Sequence, residues 1–159
     1  MDIPEYDYQV LRLTEKFFEQ YPPLQYPEMM IKQRRGYGCL LIETHYDFFI
    51  CVPYRTEIRH KYAYHFKSSK RSKDHHSGID FTKMIIIKDS EFIDNREAEI
   101  DSDEYAETRK KINIIVKGVL NYLDDYILHH KGKRLLNQRE YDRRYKFSSL
   151  QYFHKELNI

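Results

Sequence analysis

Apolar and polar positions along the 159 residues follow two rhythms, one of strand length and one helical. Tyr8 to Leu13 (YQVLRL) reads as a short strand. Thr14 stands before EKFFEQY as a helix cap, and Pro22-Pro23 stops that helix. Gly36 to Glu43 and Phe48 to Tyr54 are continuous apolar runs of strand length, and His45-Tyr46-Asp47 between them signals a hairpin. Pro53 is expected to end ladder pairing, which leaves Arg55 where strand becomes loop. SGID (Ser77 to Asp80) reads as a turn and Phe81 to Lys88 as a β-branched strand. From Tyr105 through Ile112, Ile115, Val119, Tyr122 and Tyr126 apolar residues recur at helical spacing for about six turns. Ser102 is the expected N-cap of this long helix; His129, His130, Lys131 and Gly132 suit its exit. Gly118 inside it points to a close approach by a neighbouring strand. LNQREYDRRY reads as a short helix, and Ser148 or Ser149 caps the closing SLQYFHKELN. This order predicts a single α+β domain over 1–159: a twisted antiparallel sheet with peripheral helices and one long helix.

Composition changes this picture little, because the net charge is only +2. The arrangement of charge changes it more. Nine acids and one base lie between Asp89 and Glu107, and seven bases and two acids between Lys131 and Lys146. The acidic block reads as the solubilising cap of the long helix. Cys39 and Cys51 lie in apolar runs without ligand spacing and read as buried thiols. No run approaches the ~18 apolar residues of a membrane span, and the N-terminus has no secretory pattern. A cytoplasmic protein without membrane contact is expected. No P-loop, GxGxxG, GxSxG, HExxH or CxxC pattern is present, so no cofactor and no metal site is expected.

The densest chemistry runs from Arg55 to His76: seven Lys/Arg against Glu57 and Asp74, four histidines and three interleaved aromatics. Dense positive charge binds polyanions, histidine moves protons near neutral pH, and aromatics stack on bases. In a hairpin, the start of one strand lies beside the end of the next, so Arg35 and Arg55 are expected to converge as a phosphate clamp. Thr56 adds a hydroxyl, His60 an acid or base, and Lys83 further charge. These are the functions needed when a 2'-hydroxyl attacks its own phosphodiester. Arg34, Arg59, Lys61, His65, Lys67, Lys70, Arg71 and Lys73 would then track the RNA backbone. The bland alternatives are a solvated loop for the basic segment and an edge-strand charge for Lys83. Tyr62, Tyr64 and Phe66 alternate as in a further strand, or serve as stacking platforms.

The succession QVLRLTEKFFEQY, RRGYGCLLIE, FFICVPYRTEIRHKYAYHF, SGIDFTKMIIIKD, long helix and YKFSSLQYFHKEL resembles the toxins of type III toxin–antitoxin systems, the ToxN/AbiQ group with its CptN and TenpN relatives. The resemblance implies an SH3-like barrel of the Kid/MazF kind. It implies a metal-independent endoribonuclease that leaves 2',3'-cyclic phosphate. It also implies inhibition by a repetitive pseudoknot RNA antitoxin, cut from its precursor by the toxin and held with it in a closed heteromeric assembly. Arg35, the residues after Pro53 and Lys83 fall at the family's basic and hydroxyl positions. ToxN-like proteins place Lys and Ser/Thr where this chain has Arg. Arginine stays protonated, so proton transfer would pass to His60, or next to His65. A non-catalytic RNA-binding module uses the same basic segment and stands as the alternative.

Overall fold

The computed structural model describes residues 3–29 and 38–159. Among them, seven strands form an antiparallel sheet. β1 (Tyr8–Leu13) lies between β2 (Cys39–Glu43) and β7 (Ile93–Glu97). β2 pairs along its length with β3 (Phe49–Arg55). The outer side of β3 is divided. Its first half, Phe49 to Cys51, pairs with β6 (Ile85–Ile87), and its last two residues, Tyr54 and Arg55, with β5 (Gly78–Asp80). β4 (Ala63–His65) adds to β5 as the edge expected from the Tyr62/Tyr64/Phe66 alternation. Gly78 lets β4 come close, since a Cβ there would stand 2.3 Å from the Tyr64 carbonyl oxygen. The path is open, with β4 and β7 at its ends. The fold is thus α+β with an antiparallel sheet and peripheral helices; among the described residues the sheet is not closed.

Pro53 explains the divided strand. The Tyr54 N–H donates to Gly38 O toward β2. Successive N–H groups on a strand point to opposite sides, so the Pro53 nitrogen faces β5 and β6 and has no hydrogen to give them. Pro53 therefore interrupts one ladder without ending the strand. Opposite this gap the chain leaves the sheet as a 3-10 turn, Phe81–Lys83, started by Asp80, whose side chain accepts from Thr82 N. Two expectations are corrected here. Gly78 to Asp80 is strand rather than turn, and Phe81 to Lys88 is a turn followed by a three-residue strand.

The long helix is two helices. α3 (Ser102–Lys110) and α4 (Ile112–His130) are separated by Lys111 at φ −109°, ψ 16°. The N-cap of α3 is Asp101, not Ser102; its carboxylate accepts from the N–H groups of Asp103 and Glu104. α4 buries the expected stripe, including Ile112, Ile115, Val119, Leu123 and Tyr126. Each such side chain contributes roughly 1.5–3 kcal/mol by leaving water. Tyr105 is exposed; the inward face of α3 is instead Glu104, Glu107 and Thr108. Gly118 does mark a close approach, but by the Phe81 ring of the 3-10 turn rather than by a strand: a Cβ there would lie 2.8 Å from Phe81 Cζ. Around these lie α1 (Glu15–Gln20), α2 (Lys70–His75), α5 (Gln138–Tyr145) and α6 (His154–Leu157). Cys39 and Cys51 are free and fully buried. Among the described residues no helix is long and apolar enough to cross a membrane.

Candidate functional site

Asp80, the last residue of β5, joins the groups that sequence placed apart. It is fully buried. Its Oδ2 accepts from Arg55 Nη1 at 2.6 Å, across the end of the β3–β5 ladder. Its Oδ1 accepts from the Thr82 N–H and hydroxyl and lies 3.2 Å from His60 Nε2. A buried carboxylate persists only when paired and hydrogen-bonded in this way. Burial alone would push its pKa up. The hydrogen bonds from His60 and Thr82, with the Arg55 guanidinium, outweigh burial and hold it below the ordinary carboxylate value.

His60 sits on a loop tied down at its start. Glu57 N donates to His75 O and Ile58 N to His76 O, and Ile58 is buried. Glu57 holds a left-handed φ of 58°, which turns the chain sharply after β3. The Tyr62 N–H donates to His60 Nδ1 at 3.1 Å. Nδ1 is therefore unprotonated, and the ring's proton is on Nε2, directed at Asp80. Both ring nitrogens have protein partners. His65 Nε2 donates to the His60 carbonyl at 2.8 Å, so His65 also holds this loop.

Lys83 ends the 3-10 turn and is buried, with its ammonium donating to Phe147 O at 2.7 Å. Burial lowers its pKa; Asp80 works against this and Arg55 adds to it, and the net direction is down. Arg55, His60, Asp80 and Lys83 line one cavity of about 320 Å³, and Arg59, Arg143, Arg144 and Phe147 complete much of its wall. A larger hollow of about 630 Å³ lies along β1, but Asp7 and Glu43 line it without a base. Charge, not size, sets the smaller one apart: Arg55, Arg59, Lys83, Arg143 and Arg144 line it against Glu57 and Asp80.

The sequence-predicted residues thus divide. Arg55, His60 and Lys83 meet, and Arg59 joins them. Thr56 lies just past the end of β3 and is not among the residues lining the cavity. Arg34 and Arg35 lie outside the described residues. Lys61 is exposed, with Nζ 5.6 Å from the Tyr62 ring centroid. Lys70, Arg71 and Lys73 are exposed on α2, while Lys67 lines a separate hollow with Glu107, Lys110 and Lys111.

What holds this second half of the basic segment is the acidic block, which is not merely a solvated cap. Glu107 accepts from the backbone N–H of Lys67 and Ser68 and from the Tyr64 hydroxyl. Glu104, almost fully buried, accepts from the hydroxyls of Ser69 and Ser77. Sequence reading missed Asp80, Arg143, Arg144 and Phe147 as members of the site. Asp80 had a visible signal: an acid between Ile79 and Phe81 must be paired if its neighbours are buried. The bases of 131–146 carry no local signal in the sequence that would place them here.

No protein-family model, curated protein or solved structure matches this chain.

Proposed function

We propose that this protein cuts RNA without a metal ion, as the toxin of a type III toxin–antitoxin system. One observation carries the reading: a guanidinium, an imidazole and a buried ammonium of lowered pKa line one cavity around Asp80. Arg55 holds the scissile phosphate and stabilises charge on the phosphorane. Lys83 in its neutral form takes the proton of the 2'-hydroxyl; its lowered pKa favours that form. The 2'-oxygen closes on phosphorus, the P–O5' bond breaks, and the 5'-oxygen takes a proton from solvent. The products are a 2',3'-cyclic phosphate and a 5'-hydroxyl. His60, engaged at both nitrogens, positions Asp80 and its loop, so the proton-transfer role moves from His60 to Lys83. Arg35 keeps its proposed support of the phosphate; Thr56, outside the cavity wall, is not given that role.

The reading extends to a repetitive pseudoknot RNA antitoxin as inhibitor and substrate, a closed toxin–RNA assembly, target mRNA, and action in the cytoplasm. It also extends to kinship with the SH3-like barrels of the Kid/MazF kind, the sheet here being open among the described residues. A second reading, a non-catalytic RNA-binding module, is favoured by the engagement of both His60 nitrogens and of Arg55 with Asp80.

Purified protein incubated with total RNA in EDTA separates the two. The nuclease reading expects fragments with 2',3'-cyclic ends from wild type and none from Lys83→Arg, which keeps charge but cannot give up a proton. Tight RNA binding without cleavage by wild type would overturn it.

A further inference from the structure

Phe147 is exposed by 66%, yet it stands between two buried residues, Tyr145 and Ser148. Its backbone is fixed on both sides. The Ser148 N–H donates to Tyr145 O, and the Ser148 hydroxyl caps the 3-10 turn Ser149–Tyr152 that follows. The Phe147 carbonyl takes the Lys83 ammonium, so the residue is registered against the group placed at the centre of the site. Its ring lines the same cavity as Arg55 and His60, and Lys146 Nζ lies 5.5 Å from the ring centroid. Exposed Arg143 lines that cavity from α5. Single exposed aromatics are common on proteins and need no explanation. One that lines a cationic cavity, with its backbone hydrogen-bonded on both sides, is different. A flat apolar face flanked by cations matches a nucleobase flanked by phosphates.

We infer that Phe147 is a stacking platform for a base of single-stranded RNA beside the scissile phosphate, with Arg143 and Lys146 on the adjoining phosphates. This rests on the RNA reading above and adds a second strand-contacting surface, on α5 and the residues after it. It gives the basic block 131–146 a role, alongside the 67–73 segment. Phe147 is a positioning residue in this scheme: it sets which nucleotide faces Lys83.

The test compares wild type, Phe147→Ala and Phe147→Trp by fluorescence anisotropy. The probes are a short 2'-O-methyl RNA of mixed sequence, which cannot be cut, and an abasic 2'-O-methyl chain of the same length. Phe147→Ala is expected to bind the base-bearing strand roughly 5- to 150-fold more weakly, the loss of one base–aromatic stack. Phe147→Trp is expected to restore it, and the abasic chain to bind all three proteins equally. Unchanged binding by Phe147→Ala, or equal losses on both probes, overturns the inference. Cleavage of total RNA by wild type, scored in parallel, keeps the two questions apart. Cleavage with unaltered Phe147→Ala binding removes the platform and leaves the nuclease. Base-dependent loss without any cleavage leaves the platform and removes the nuclease.

Discussion

Replacing Asp80 by Asn changes one atom's chemistry at the place where strand β3, the His60 loop and the 3-10 turn meet. The amide oxygen can still accept from Thr82, as Oδ1 does now. The amide nitrogen then takes the place of Oδ2 and sets a donor against Arg55 Nη1, where a 2.6 Å ion pair stood. Removing one partner of a fully buried pair costs about 3–5 kcal/mol. Arg55 keeps 19% side-chain exposure and regains some hydration, so about 2–4 kcal/mol is expected here. For a domain of this size that lowers Tm by roughly 4–16 °C.

The pH dependence identifies the cause. The Asp80 pKa is depressed in the folded state, so its contribution is complete above the unfolded carboxyl value, about 4, and is lost as pH falls through the lower folded value. Urea unfolding followed by circular dichroism, at pH 7 and in steps down to the acid limit of folding, measures the gap between wild type and Asp80→Asn. The gap should be full at pH 7 and close in acid. A gap under 0.5 kcal/mol at pH 7, or one that stays constant into acid, would refute the assignment of Asp80 as the charged hub.

Glu104→Leu leaves the buried hydroxyls of Ser69 and Ser77 without their acceptor; about 2–5 kcal/mol of destabilisation is expected, with faster tryptic cutting between Lys67 and Lys73. Equal tryptic protection of that segment in both proteins would show that Glu104 does not hold it. Gly118→Ala drives a methyl group into the Phe81 ring, costing about 1–3 kcal/mol against a helix-propensity gain of about 1, and Phe81→Leu in the same chain should recover the difference in thermal unfolding. His130 and His154 are held below the ordinary imidazole value by burial, His130 also by its histidine neighbours. The unfolded chain therefore binds more protons than the folded one as pH falls below about 6.5, and stability should decline there; His154→Gln should flatten that decline in a pH series of urea midpoints.

The elements legible in the sequence are those whose signal is local. β1 begins and ends at Tyr8 and Leu13, as the pattern has it, because Thr14 and Pro22 bracket the helix that follows. The α4 stripe and α5 follow from spacing alone. β7 was not legible: Asp94, Asn95 and Arg96 have no strand pattern, and the segment is a strand only because the edge of β1 is there to pair with it. The break at Lys111 was hidden because Tyr105 continues the spacing of the apolar stripe while facing solvent. Glu104 and Glu107 were hidden for the opposite reason. Acids in a run of acids read as solvated, and only the fold supplies the serine hydroxyls and backbone N–H groups that let these two be buried.

Pro53 shows most clearly what a one-dimensional reading omits. A missing N–H predicts the end of a strand, but the hydrogen is missing on one side only. On the β2 side Cys39 still stands opposite Pro53 and the ladder runs on through Tyr54. On the other side the partner must break, and it breaks between β5 and β6. The excursion so created is Phe81–Lys83, with Asp80 at its root. It lies beside the two residues of β3 that continue past the proline, the second of which is Arg55. One imino acid thereby places a carboxylate and a lysine from one turn against an arginine from the neighbouring strand. The same step orients the His60 loop, whose carboxylate partner is that Asp80. The cavity is where it is because the sheet fails to pair there, and a substitution that restored the N–H at position 53 would act on all four side chains at once.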